Sequence, residues 1–233
     1  MAETEATADD VVRVEPINGP GDWRQYDPLP LTPILEASLE AFQLNGYHGA
    51  SIRDIARRVG VSMPSLYYHY GNIEGILIAL LDVGMDDLQS HLDIATAEAG
   101  DDPFRRFCNL VMVASLHETR RRHLAKLHPE SRFLGEEAHA KYVARRNEVN
   151  AEAVRLLEVC RDDGLFAFDD SHFVARAMFA MMQGAPQWFR DSGPDTPDDV
   201  AEKYLRLVIA MVAAPGREAE LQDRVPVRGG SGN

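Results

Sequence analysis

The sequence predicts an all-α chain in two parts: an N-terminal three-helix helix-turn-helix domain and a larger C-terminal helical domain. Three observations lead there. Apolar residues recur at i, i+3 and i+4 along most of the chain, the pattern of a buried helical stripe. These runs start at Ser, Thr, Asn or Asp and stop at Gly, the residues that cap helices. No stretch alternates apolar and polar residues for long enough to read as a strand, and no internal repeat is present.

The elements follow in order. Residues 1–30 are polar, acidic and punctuated by Pro16, Gly19-Pro20-Gly21 and Pro28-Leu29-Pro30, which reads as a disordered acidic tail. Thr32 caps a first helix, with Pro33 at its favoured first position and Ile34, Leu35, Ala41 and Phe42 on its buried side. Ser51 and Asp54 have capping-box spacing, and Ile52, Ile55, Ala56 and Val59 share one helical face. Gly60 supplies the positive φ that ends this helix. Ser62 caps the next one, whose first turn tolerates Pro64. Leu66 and Tyr70 face inward there, leaving Ser65, Tyr67, Tyr68 and His69 on or near the outer side. Two short helices joined by a tight turn, the second exposed and rich in hydrogen-bonding groups, form a DNA-reading helix-turn-helix over residues 31–76.

Beyond Gly71-Asn72 a fourth helix runs from Ile73 towards Ala99, and Gly100-Asp101-Asp102-Pro103 ends it. Helices follow from Phe104 to Arg122 and, after a turn near Gly135, from Glu136 to Asp162. Gly164 stops the latter, and Asp169-Asp170 caps a helix bearing Phe173, Ala177, Met178, Met181 and Met182 that breaks at Gly184-Ala185-Pro186. A capping box, Thr196 with Asp199, opens the last helix, along which Val200, Tyr204, Leu207, Val208 and Met211 recur. Residues 77–214 form this C-terminal helical domain, and 215–233 a flexible tail.

The stretch from Ser51 to Tyr70, with its Leu66-Tyr67-Tyr68-His69-Tyr70 string, resembles the TetR family of transcriptional regulators. The motif match spans residues 31 to about 82. Arg145-Arg146-Asn147-Glu148, Gly164-Leu165-Phe166 and Gln187-Trp188-Phe189-Arg190 are further similar to family members that sense acyl-CoA thioesters in sterol and fatty-acid catabolism. The resemblance implies a homodimer that binds an inverted-repeat operator in double-stranded DNA and is released by a small apolar, lipid-like or acyl-CoA-type effector, with residues 77–214 as its ligand-binding and dimerisation domain. It implies DNA contacts at Ser51, Arg53, Ser62, Met63, Pro64, Ser65, Tyr67, Tyr68, His69 and Asn72. Arginine can bond guanine bidentately, Ser and Tyr hydroxyls reach phosphate, and Met63 and Pro64 offer apolar contact to thymine methyls. Two departures stand out. Ile73 replaces the lysine that commonly clamps a phosphate, and Asp27-Pro28-Leu29-Pro30 replaces the basic residues that often precede the first helix.

The net charge of −13 sits uneasily with DNA binding, but the charge is unevenly placed. Residues 1–30 carry seven acids and two arginines, a net of −5, whereas residues 47–70 hold Arg53, Arg57 and Arg58 against Asp54, a net of +2. A locally basic surface on an acidic body favours specific contact over indiscriminate adhesion.

For the effector, Phe107, Met112, Leu116, Met178, Met182 and Trp188 supply an adaptable apolar lining, and Arg145 and Arg190 could hold an anionic end. The alternative is a small-molecule-binding or metal-dependent helical enzyme that retains the DNA-binding head. Against it, Glu136-x-x-His139 has di-iron spacing, but its only second copy is Asp169-x-x-His172. No nucleophilic triad order, phosphate loop or zinc spacing is present, so neither catalysis nor a metal or other cofactor is expected. Cys108 and Cys160 read as buried small hydrophobes in a reducing compartment. The longest apolar run, Val208 to Ala214, is too short for a membrane span, so the expected location is the cytoplasm.

Overall fold

The computed structural model describes residues 21–225. Among them the chain forms α1 (Pro33–Gly49), α2 (Ile52–Val59), α3 (Met63–Tyr70), α4 (Ile73–Ala99), α5 (Pro103–Arg120) and α6 (Arg122–Ala125). A 3₁₀ turn (His128–Phe133) leads to α7 (Glu136–Asp162), α8 (Ser171–Met182), α9 (Ala185–Trp188), α10 (Pro197–Val212) and α11 (Glu218–Arg224). Among the described residues the β-type pairing is limited to one bridge between Phe166 and Ala213.

Helix starts fall where side-chain caps satisfy the first free N–H groups. Thr32, Ser62, Asn72, Asp102, Asp170 and Thr196 each accept from a backbone N–H in the first turn that follows. The Thr196–Asp199 box is reciprocal. The Ser51–Asp54 box does not form. Ser51 makes no side-chain cap, and Asp54 accepts instead from Arg57 at 2.6 Å.

Helix α5 is the axis of the body. It packs against α4, α7, α8, α9 and α10, and its buried residues lie all round it, from Phe104 and Phe107 to Leu116 and Thr119. A helix buried on every side is one enclosed by others. Helices α1, α2 and α3 form the head, which meets the body through α4, α6 and the 3₁₀ turn. There Tyr47 stacks on Phe133 at 5.7 Å, and Gly135 N–H donates to Glu74 Oε1 at 2.6 Å. Helix α4 runs unbroken through residues 76 and 77, so the expected domain boundary falls inside a continuous helix.

The acidic tail expected over 1–30 is corrected where it is described; residues 1–20 lie outside the described residues. Residues 22–31 form a strap laid on the body. Trp23 is 1% exposed, and its Nε1–H donates to Glu98 at 2.9 Å while its carbonyl accepts from His91 Nδ1–H at 2.7 Å. Tyr26 stacks on His91 at 3.9 Å and donates to the Val113 carbonyl. Arg24 grips Glu98 with two bonds of 2.7 and 2.8 Å, and this hydrogen bonding holds the Glu98 carboxyl down at about 2. Burial of two aromatic rings overrides the loop-forming Pro, Gly and Asp around them.

Beneath the strap lies Asp87 of α4, which is buried. Burial opposes its charge, yet His117, His91 and Arg121 outweigh that and hold its carboxyl well below the usual range. Arg121 donates to both of its oxygens at 2.9 Å, and each histidine ring approaches to 3.7 Å.

The flexible tail expected from 215 is likewise shorter. Residues 215–225 fold back as α11, burying Leu221 and Val225, and residues 226–233 lie outside the described residues.

Truncating the strap's anchor, Trp23→Ala, should cost about 3 kcal/mol. At roughly 2–4 °C per kcal/mol for a chain of this size, a melting scan should register a loss of about 6–12 °C. Limited proteolysis should then cut within 22–31. A variant that melts with wild type and resists cleavage would refute the docked strap.

Candidate DNA-reading surface and effector cavity

The head is built to hold α3 outward. Ile55, Ala56 and Leu66 bury themselves in the head's core with Ile34, Leu35 and Phe42 of α1. Gly60, at φ 76°, turns the chain sharply between α2 and α3. Ser62 Oγ then accepts from Ser65 N–H at 3.3 Å to start α3. At the far end, a Cβ on Gly75 would lie 1.8 Å from the Tyr70 carbonyl oxygen. Only glycine lets α4 pass so close beneath α3.

Of the ten expected DNA-contacting residues, Arg53, Ser62, Pro64, Tyr67, Tyr68, His69 and Asn72 are exposed, and Ser51, Met63 and Ser65 are half-buried. Tyr68 is 85% exposed and meets His69 edge-on at 4.9 Å. Asn72 Oδ1 is committed to capping α4 through Gly75 N–H. The three arginines differ. Arg57 pairs with Asp54 at 2.6 Å and Arg58 with Glu40 at 2.7 Å, whereas no acid pairs with Arg53 among the described residues. Ile73 is half-buried against the core, so α4 begins without an exposed cation at that position.

In the body, α4, α5, α7 and α8 enclose a cavity of about 370 Å³. Met85, Leu88, Ala114, Val149 and Phe179 supply its apolar wall. His117 and Glu118 of α5 form a buried polar patch, while Arg146, Asn147, His172 and Arg176 line the α7–α8 side nearer solvent. His128 also lines it and is hydrogen-bonded to the Tyr142 hydroxyl. Burial, then His117 and Arg146, push His128 down to about 3, so its ring is neutral at neutral pH. Burial pushes Glu118 up to about 8 against the pull of Arg146, so its carboxyl is protonated at neutral pH.

None of the eight residues expected to bind effector lines this cavity. Phe107, Leu116, Met178 and Met182 sit in closed core: Phe107 packs on Phe166 at 5.1 Å, and Met182 Sδ accepts from Ser115 Oγ. Met112 is half-buried beside that core. Trp188 is exposed on α9, and Arg190 bonds the backbone carbonyls of Gln187 and Phe189. Arg145 pairs with Asp82 and Asp86 and lines a second cavity between α4, α5 and α7. Its neighbour Arg146 turns towards the first cavity, since successive helical residues point about 100° apart.

Comparison with known proteins agrees with this architecture at both ends. Residues 34–80 match the profile of bacterial regulatory proteins of the tetR family, and residues 100–212 match the tetracyclin repressor-like C-terminal domain. The chain belongs to the TetR family. It is 27% identical over 188 residues to the HTH-type transcriptional repressor KstR2 of Mycobacterium tuberculosis, covering 78% of this chain and 92% of that one. It is 27% identical over 171 residues to the transcriptional activator FasR of Mycolicibacterium smegmatis, covering 72% and 76%. Among solved structures, a tetR-family regulatory protein from Rhodococcus RHA1 superposes with a TM-score of 0.71 at 24% identity, over 78% of this chain and 96% of that one. The regulator AibR, solved with isovaleryl coenzyme A and operator DNA, gives 0.65 at 23%, over 75% and 95%. These superpositions show a shared fold. No helix among the described residues is long and apolar enough to cross a membrane.

Placing a methyl group beneath α3 tests the head's geometry. Gly75→Ala must force α3 and α4 apart, at an overpacking cost of about 1–3 kcal/mol. Fluorescence anisotropy should show weakened DNA binding, while circular dichroism retains the helical content. Unaltered DNA affinity and melting would show that the α3–α4 junction is not so close.

Proposed function

We propose that this chain is a two-fold repressor that binds an inverted-repeat operator and leaves it when a large, mostly apolar, acyl-CoA-type effector fills the body. The observation that carries the DNA-binding half is the outer face of the head. There Arg53, with no acid partner among the described residues, is exposed along with Tyr67, Tyr68 and His69. Exposed aromatics that serve no core suit contact with sugar and phosphate, and a free guanidinium suits a guanine edge. Ser51, Ser62, Met63, Pro64, Ser65 and Asn72 flank that face and complete the proposed contact surface.

Dimerisation is supported by large apolar side chains that one chain leaves in water: Phe173 on α8, Trp188 on α9, and Leu207 and Met211 on α10. A symmetric partner would cover them and present two heads to successive major grooves. The effector half rests on the α4–α5–α7–α8 cavity. Its apolar wall suits an acyl body, and neither Arg146 nor Arg176 forms an ion pair among the described residues, so either can meet an anionic handle near the mouth. The names of similar proteins support this reading: KstR2 is called a repressor, and AibR has been solved with an acyl-CoA and operator DNA. Those relatives are named as regulators, which favours a sensor over a catalyst. Effector needs only to prefer the off-DNA state to act.

Arg53→Ala should weaken binding to an operator selected from random DNA by about 1–3 kcal/mol and relax preference at one base pair per half-site. Arg57→Ala, whose guanidinium is already paired, should cost less and leave base preference intact. Equal effects from both variants would remove Arg53 from the reading surface.

Effector identity is tested by melting and operator release together. Long-chain acyl-CoAs should raise the melting temperature of free protein and dissociate the operator at matching concentrations. Stabilisation and release by cationic or neutral aromatic drugs alone would replace this reading with a multidrug sensor.

A further inference from the structure

The cavity holds two polar side chains that the protein itself does not fully satisfy. Glu118 is 7% exposed and His117 1% exposed, and they are adjacent on α5. Glu118 Oε2 and His117 Nε2 make no hydrogen bond within the protein, while His117 Nδ1 has the Asp87 carboxylate at 3.7 Å. Such atoms are rare in folded chains because burying them unpaired is costly. The other buried polar groups nearby are already engaged. His128 and the Tyr142 hydroxyl bond each other, and the Tyr204 hydroxyl donates to the Met181 carbonyl.

We infer that the effector carries an uncharged oxygen, a ketone or a hydroxyl, in the part of its apolar body that lies deepest in the cavity, where Glu118 and His117 receive it. This rests on reading the cavity as the effector site. A plain hydrocarbon body would seal both residues away from water without a partner. A body with a ketone accepts from the Glu118 carboxyl, and one with a hydroxyl bonds both side chains. A carboxylate at that depth would have to be desolvated against Met85, Leu88, Ala114 and Phe179, while Arg146 and Arg176 offer a wetter position nearer the mouth. Sites built to hydrogen-bond an oxygen discriminate strongly against the analogue that lacks it, because their own polar groups are then stranded.

Protonation state sets the pH range. The groups facing Glu118 are Arg146 and Tyr142 on α7, Tyr204 on α10, and its neighbour His117; His128, His172 and Arg176 line the same cavity. With burial raising the Glu118 carboxyl to about 8, it donates a proton below that pH and loses the ability above it. Affinity for a ketone should therefore be level at neutral pH and fall by up to about tenfold per unit above pH 8.

Two matched pairs of probes test the inference on the full chain by calorimetry and melting at pH 7. One pair is cyclohexanecarboxyl-CoA and 4-oxocyclohexanecarboxyl-CoA; the other, free of CoA, is decalin and 2-decalone. In at least one pair the ketone should bind roughly tenfold or more tightly than its hydrocarbon counterpart. Glu118→Leu should erase that preference while leaving the hydrocarbon member's binding unchanged or improved, and Glu118→Gln, which still donates, should keep most of it. Retained apo melting in both variants separates the effect from misfolding. Absence of a ketone preference in both pairs, absence of any binding included, overturns the inference, as does a preference that survives Glu118→Leu. A preference in the decalone pair with no binding by either thioester upholds the inference and overturns the acyl-CoA reading. Equal binding by both thioesters with no preference in either pair does the reverse.

Discussion

A buried carboxylate sets the frame of this molecule. Asp87 sits among helices where an unpaired charge would be intolerable, so its neighbours must come to it. Arg121 does so by leaving the helical path at the end of α5, at φ −103° and ψ 26°, which separates α5 from α6. His117 comes from α5 and His91 from one turn further along α4. The register of α4 against α5 is thereby fixed by charge as well as by packing. His91 also passes the constraint outward, because its other nitrogen and its ring face hold Trp23 and Tyr26.

The same ring system joins the two halves of the molecule's work. His117 lies 3.7 Å from Asp87 and also lines the cavity. Helix α5 therefore presents one face to the charge centre under the strap and the next to the cavity. Helix α4 contributes Met85 and Leu88 to that cavity, Asp87 to the charge centre, and its first turn to the head. Whatever occupies the cavity lies against α4, the helix that joins the head to the body.

Much of this was legible in the sequence, for reasons that can be traced to particular residues. The head was readable because local rules decide it: the Ile52, Ile55, Ala56 and Val59 face, the Gly60 turn, and the Ser62 cap all act within a few residues. Ser51 was misread because Asp54 found a better partner in Arg57. The strap was hidden by composition, since prolines and acids dominate residues 22–31; Trp23 and Tyr26 were the contrary signal, two large aromatics with no local core. The cavity was hidden for a different reason. A stripe of Phe and Met marks burial, but a void forms only where four helices diverge, and no local pattern encodes that divergence. Arg145 and Arg146 illustrate the limit, being adjacent in sequence yet facing different cavities.

The strap is also a matter of length. Trp23 is anchored at Glu98, near the last turn of α4, while Thr32 touches the Tyr70 hydroxyl beside the first turn of that helix. The carbonyl of Trp23 lies at His91, so the strap's backbone spans the part of α4 between Gly75 and His91, a rise of about 24 Å at 1.5 Å per residue. The nine residue steps from Trp23 to Thr32 can reach at most about 32 Å, and turns at Gln25 and Leu31 take up the surplus. The segment works like a mooring line with some rope in hand: it ties the head to the far part of α4, and the turns must unwind before Trp23 is drawn from its seat.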